Sequence, residues 1–263
     1  MKFQFMREKQ MTIKKLAAVL LGSIVAISSA QAALISSSIA YGAANAAAAE
    51  TAFLDGSLSY ETEDFNSFII DSTSVLTGTQ QEMYIRSQPS FSTIAGTFTV
   101  LENAKNDSGE VNPDNLMIES IATGEFGRDI SKAADDFWLD SNDTRQVTWD
   151  LAGVNSNYDS LGFYLTDAND NGARLVLRYS NGTTEDIALN YSLPNGNVAY
   201  ISIFSDTSIS TASIVFDNNG DTDRNTNDGW AIDNVTVAKV PEPTALAIFA
   251  LGLLGLVAAR KRV

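Results

Sequence analysis

The run Asp167-Ala168-Asn169-Asp170-Asn171-Gly172 sets side-chain oxygens at alternate positions ahead of a glycine. That is the D-x-[DN]-x-[DN]-G opening of a calcium loop, in which Asp167, Asn169 and Asn171 alternate around the ion and the glycine permits a sharp turn. The position that should carry a bidentate glutamate is Arg178, and extended segments flank the loop, which argues against an EF-hand. Two readings stand: a plain β-turn, because Asn, Asp and Gly all tolerate positive φ, or a calcium site of another kind. A second acidic loop spans Asp217–Gly229, where Asp217, Asp221, Asp223 and Asp228 are interleaved with asparagines. Carboxylates packed this densely repel one another, and a bound Ca²⁺ relieves the repulsion. The alternative is a solvated acidic loop.

That loop runs into Trp230-Ala231-Ile232-Asp233-Asn234-Val235-Thr236-Val237. Strict alternation puts Asp233 on one face with Ala231, Val235 and Val237, among core positions. A buried carboxylate is costly unless paired or liganded, so Asp233 is the strongest single candidate for a metal ligand, with a hydrogen bond to backbone as the alternative.

Other chemistry is narrowed by composition. The 263 residues include no histidine and no cysteine. A Ser-His-Asp hydrolase, a His-ligated zinc centre, thiol chemistry and disulfides are therefore excluded. An enzyme would have to use a carboxylate pair, as glycoside hydrolases do. Glu61, Glu63, Asp64, Asp135, Asp136, Glu185 and Asp186 are all available, and nothing in the sequence separates two of them from an acidic surface. For carbohydrate binding, aromatic side chains on a face or loop are needed, and Trp138, beside Asp135, Asp136 and Asp140, reads as the least core-like. The net charge is −15, and residues 33–239 alone hold nine basic against thirty acidic side chains. Such a field attracts divalent cations and repels nucleic acid and anionic lipid, so no nucleic-acid partner is expected.

The elements that must position these residues are short. Phe91–Leu101, Gln146–Leu151, Ser160–Thr166, Ala173–Tyr179, Glu185–Leu189, Val198–Phe204, Thr211–Phe216 and Trp230–Val237 read as strands rich in Val, Ile, Thr, Phe and Tyr, separated by Asn-Gly and Asp-rich turns. Asp114–Ala122 fits a short helix or a further strand. The expectation is an all-β fold, an antiparallel jelly-roll-like β-sandwich over 53–239. Residues 33–52, dominated by Ala and Ser, read as a linker or a weak helix.

Both ends differ from this middle. Lys14-Lys15, the apolar run Leu16–Ile27 and the small-x-small site Ala30-Gln31-Ala32 form a signal peptide over 1–32, cut by signal peptidase after Ala32, with translation starting at Met1 or Met11. At the other end Val240-Pro241-Glu242-Pro243 precedes the apolar stretch Thr244–Ala259 and the basic cluster Arg260, Lys261 and Arg262. The prolines break regular structure. The basic cluster stays cytoplasmic by the positive-inside rule, which leaves the domain outside. A helix of about 16 apolar residues is a marginal span against the ~20 that cross a bilayer, as suits a segment meant for removal.

This three-part tail over 240–263 resembles the PEP-CTERM sorting signal of Gram-negative bacteria. The resemblance implies an exosortase partner, processing near Pro241-Glu242-Pro243 at the inner membrane, and release to, or attachment at, the cell surface or extracellular matrix. It also implies a link to extracellular polysaccharide and biofilm. The functional expectation is a non-catalytic matrix protein, with a calcium-dependent carbohydrate-binding module and a carboxylate-dependent glycan-cleaving enzyme as alternatives. If calcium is part of the fold, the full-length chain melts a few degrees higher in excess Ca²⁺ than in EDTA. A ligand at 100 times its dissociation constant adds about 2.7 kcal/mol. Equal melting in the two buffers leaves the acidic loops as solvated turns.

Overall fold

The computed structural model describes residues 36–68, 86–102, 115–121, 128, 130, 136–141, 144, 146–151, 154, 158–168, 174–189, 194, 196–215 and 230–241. The signal peptide with Ala30 and Ala32, the loop 217–229, Glu242, Pro243, the apolar C-terminal stretch and Arg260, Lys261 and Arg262 lie outside these residues. Among the described residues no helix is long and apolar enough to cross a membrane.

Fourteen strands and one helix are described. In chain order they are β1 (Ser36–Tyr41), α1 (Ala43–Asp55), β2 (Ser59–Glu63), β3 (Arg86–Gln88), β4 (Ser90–Thr93), β5 (Gly96–Glu102), β6 (Leu116–Ser120) and β7 (Phe137–Asp140). Then follow β8 (Gln146–Asp150), β9 (Ser160–Thr166), β10 (Arg174–Tyr179), β11 (Thr184–Ala188), β12 (Val198–Phe204), β13 (Ile209–Val215) and β14 (Ala231–Lys239). They form two sheets with every described pairing antiparallel, one ordered β1-β12-β9-β14-β7-β6-β3 with β2 also on β14, the other β11-β10-β13-β8-β5-β4. The expected all-β antiparallel sandwich is what the chain forms.

Alternation does most of the work. Val147 and Trp149 on β8, Leu175 and Leu177 on β10, and Leu161, Phe163 and Leu165 on β9 all enter one core between the sheets. The Trp149 ring stacks on Phe98 at 5.3 Å and meets Phe163 edge-on, while its N–H donates to the Ala95 carbonyl at 2.8 Å. A buried tryptophan thus keeps its one donor satisfied. The stretch expected as a single strand over Phe91–Leu101 is instead the hairpin β4–β5, turned at Ile94-Ala95. Gly96 permits that turn at φ 129°, where a Cβ would fall 2.7 Å from the Trp149 indole nitrogen.

Of the two readings of 33–52, a linker or a weak helix, the helix is present, and a strand precedes it. Residues 36–41 pair with β12 in full register, and 43–55 form α1, so among the described residues the sandwich already includes Ser36, ahead of residue 53. Seven alanines give α1 high helix propensity, and their small size lets it lie on the outer face of the larger sheet. Ala46 and Phe53, two turns apart, are buried there against Tyr164, Tyr200 and Ala238. Gly42 hands the chain from β1 to α1 at φ 85°, with its N–H bonded to the Val198 carbonyl at 2.7 Å.

Gly162 on β9 makes this docking possible. An added Cβ would lie 2.8 Å from the Phe53 ring and closer still to the Tyr200 hydroxyl. Gly162→Ala is therefore expected to lose about 1–3 kcal/mol in urea unfolding of the full-length chain, by overpacking. A change within error would mean that α1 can lift without cost.

Candidate functional site

Strand β14 decides where the chemistry goes. Its partner β9 keeps register from Ala231↔Thr166 to Asp233↔Tyr164 and resumes at Thr236↔Gly162, so Asn234 and Val235 stand against the single residue Phe163. This is a β-bulge, and Asn234 absorbs it at φ 45°, a conformation asparagine tolerates better than most residues. The extra residue reverses the phase of the strand. Ile232, Val235 and Val237 all enter the core between the sheets, whereas Ala238 packs with Phe53 on the opposite face.

Asp233 accordingly does not share a face with Val235 and Val237, as strict alternation predicts. It points to the outer face of the larger sheet, below α1, and is only 2% exposed. Its Oδ1 accepts the Asn234 N–H at 2.6 Å. It lines a cavity of about 270 Å³ together with Asp136, Tyr164, Asn234, Ala43, Ala47, Ile130 and Val198. Behind that lining Glu50 of α1 accepts the Tyr164 hydroxyl at 2.8 Å and the Asn234 side-chain N–H at 2.9 Å, tying helix, β9 and the bulge together. Asp136 Oδ2 is buried with no hydrogen-bond partner among the described residues.

Burial, then the neighbouring Asp136 and more weakly Asp64 and Glu50, push the Asp233 carboxyl well above the ordinary carboxylate range, against a lowering pull from the Asn234 N–H. Burial and the Glu50 hydrogen bond likewise push the Tyr164 hydroxyl up. The site therefore gathers carboxylates where water is scarce, and their charged forms are disfavoured there.

The other predicted residues are placed differently. Trp138, expected as an exposed sugar platform, is 1% exposed on β7 and cannot stack on a glycan from that position. Its acidic neighbours misled the reading, because Asp140 is itself buried and bonded to Arg128 at 2.6 Å. Asp167, the first oxygen of the expected calcium loop, is buried at φ 57°. Its carboxylate accepts the Gly196 N–H at 2.7 Å and faces the Arg128 guanidinium at 3.8 Å. Asn169 and Asn171, with Asp217, Asp221, Asp223 and Asp228, lie outside the described residues. Among the described residues no three acidic side chains gather as a metal-binding group. Sequence reasoning missed Asn234 and Glu50 and named Asp136 only among many acids. The usable signal was an asparagine directly after an aspartate inside a strand.

The sorting tail is anchored by its own contact. Val240 N–H and Lys239 Nζ both donate to Asp159, at 3.3 and 2.5 Å, and the Asp159 N–H returns to the Ala238 carbonyl. Val240 is thus held to the sandwich, one residue before the tripeptide.

Comparison with known proteins matches residues 239–262 to the PEP-CTERM protein-sorting motif. The chain thus carries the signal of an exported protein processed at the membrane by an exosortase. No curated protein matches the sequence. Among solved structures, the chain is similar to a variant of a family 29 carbohydrate-binding module (16% identity, 55% of this chain and 94% of that one, TM-score 0.28). It is also similar to the K2 cleaved adhesin domain of Lys-gingipain (9%, 68% and 98%, TM-score 0.36). A third similar structure is the family 11 carbohydrate-binding module of the Clostridium thermocellum cellulase Lic26A-Cel5E (13%, 55% and 98%, TM-score 0.26).

The raised Asp233 carboxyl has a defined consequence. Between the unfolded value of about 3.9 and the higher folded value, the folded state holds more protons, so its contribution to stability falls as pH rises through that window. Asp233→Asn removes the charge and keeps the shape. It is expected to stabilise the protein at pH 7.5, with the gain vanishing near pH 4, in urea titrations at both pH values. A variant less stable than wild type at pH 7.5 would contradict this account.

Proposed function

We propose that the chain is a non-catalytic component of the bacterial cell surface or extracellular matrix, delivered there by exosortase processing. The observation that carries this reading is the direct junction of sandwich and sorting motif. The Asp159 contacts hold the chain to Val240, so the tripeptide follows the last strand with no spacer between them. Processing at that point delivers the sandwich itself, with almost nothing appended.

Two features support binding or matrix building over catalysis. Histidine and cysteine are lacking, so the carboxylates are the available acid–base groups. The acid pair Asp233 and Asp136 sits in a cavity of about 270 Å³. Hydrolysis of a glycosidic bond needs sugars on both sides of the scissile oxygen, more than a space of this size accommodates. A carbohydrate-binding role is the second reading, favoured by the same cavity rather than by Trp138. Calcium at the loop from Asp167 or along 217–229 belongs to this second reading, and the melting comparison tests it.

Replacing Pro241, Glu242 and Pro243 together by alanine tests delivery. In a host with an exosortase the wild-type chain is expected to appear at the surface or in the matrix, shortened by its tail. The triple variant keeps its tail and stays in the membrane fraction. Equal shortening of both, or shortening in a host lacking the exosortase, would overturn the proposal.

A further inference from the structure

We propose that the cavity beneath α1 is a binding site for one amino-sugar unit carrying a free ammonium group. This goes beyond the delivery reading and holds whether or not the chain is processed by an exosortase.

The floor of the cavity is built for a cation with several donors. Asp233 is almost wholly buried and lines it, and the described residues satisfy its carboxylate only through the N–H of its own neighbour Asn234. Asp136 Oδ2, on the same lining, is buried with no partner among the described residues. No lysine or arginine belongs to the described lining, although Arg128 neutralises Asp140 and Asp167 elsewhere in the sheet. Glu50 is already engaged through both oxygens by Tyr164 and Asn234, so it braces the site and leaves the two aspartates to the ligand.

A metal ion fits this set poorly. Ca²⁺ takes six to eight oxygens at about 2.3–2.6 Å. Here two carboxylates face a wall of Ala43, Ala47, Ile130 and Val198, which offers carbon instead of oxygen. An ammonium group needs only three acceptors, and a ring attached to it can lay its C–H surface on those apolar side chains. The volume sets the upper limit. Pockets for drug-sized ligands begin near 300 Å³, so about 270 Å³ suits a single ring and excludes an oligosaccharide lying in full. A slender alkyl amine would leave carboxylate and amide groups unmet that ring hydroxyls can reach. A cation beside Asp233 offsets the burial and the neighbouring Asp136 that raise its carboxyl, so ligand and proton compete for the same place.

Calorimetric titration of the full-length chain in detergent, at about pH 6.5, tests the proposal with glucosamine, glucose, N-acetylglucosamine, n-butylamine and CaCl₂ as probes. Glucosamine is expected to bind saturably, and glucose, N-acetylglucosamine and butylamine at least about tenfold more weakly, the scale of one charge-assisted hydrogen bond. Asp136→Asn should lower glucosamine affinity by a similar factor without lowering the melting temperature. Ala47→Leu provides a second check, because Ala47 is exposed on α1 and a larger side chain there fills the cavity mouth while leaving the fold intact. It should abolish binding. Absence of glucosamine binding, equal affinity for glucose, binding of butylamine as tight as glucosamine, Ca²⁺ displacing the sugar at equal concentration, or unchanged affinity in both variants would each overturn the proposal. Failure of delivery in the alanine variant of the sorting motif leaves this result untouched, and the reverse also holds.

Discussion

The bulge in β14 is the constraint on which the rest of the molecule depends. This strand is the spine of the larger sheet, flanked by β9 on one side and, on the other, by β7 against Ala231 and Ile232 and by β2 from Val235 to Lys239. The change of partner and the bulge fall at the same residues. Without the additional residue, either Ile232 or the pair Val235 and Val237 would have to leave the core, since a one-residue shift exchanges the faces of a strand. The positive φ of Asn234 is thus tied to the burial of three apolar side chains. The same backbone step turns Asp233 outward under α1 and lets Asn234 reach Glu50.

The protein treats its buried carboxylates in two ways. Asp140 and Asp167 share Arg128, and Asp167 also takes a backbone N–H, so a charged cluster closes on itself. Removing one member of such a cluster leaves the others uncompensated, which is why buried ion pairs hold neighbouring segments in place even where they add little net stability. Asp233 and Asp136 have no such cation on the described lining. Their repulsion is tolerated because the sheet and α1 fix the site from several sides. Glu63 is an intermediate case. Burial raises its carboxyl, while the N–H groups of Phe65 and Ile94 draw it back, fastening the end of β2 to the β4–β5 turn.

Most strands were legible because burial on one face leaves a period of two in the sequence. The boundaries of β9 and β12 were read as they stand, and β8, β10 and β14 to within a residue or two. Three kinds of feature were not legible, each for a physical reason. The β4–β5 turn at Ile94-Ala95 uses apolar residues at a position where polar ones are the usual signal. The Ala- and Ser-rich start gave no indication that β1 would pair with a strand more than 150 residues away, because edge pairing is a tertiary event. Trp138 and Asp140 looked like surface because their neighbours are acidic, whereas Asp140 is buried between two strands and bonded to Arg128. At the candidate site Asp233 was identified by residue type, but its orientation depended on a bulge that alternation alone does not reveal.

The contacts of Asp159 with Lys239 and Val240 also determine how the domain meets mechanical load. Tension applied through the sorting segment enters the sandwich at the end of β14, along the axis of a strand paired on both edges. Pulled in that direction, the hydrogen bonds to β2 and β9 are sheared together instead of being opened one after another. A matrix protein joined at this end would resist flow with its most heavily bonded strand, and the ion pair at Asp159 would be the first contact to bear the strain.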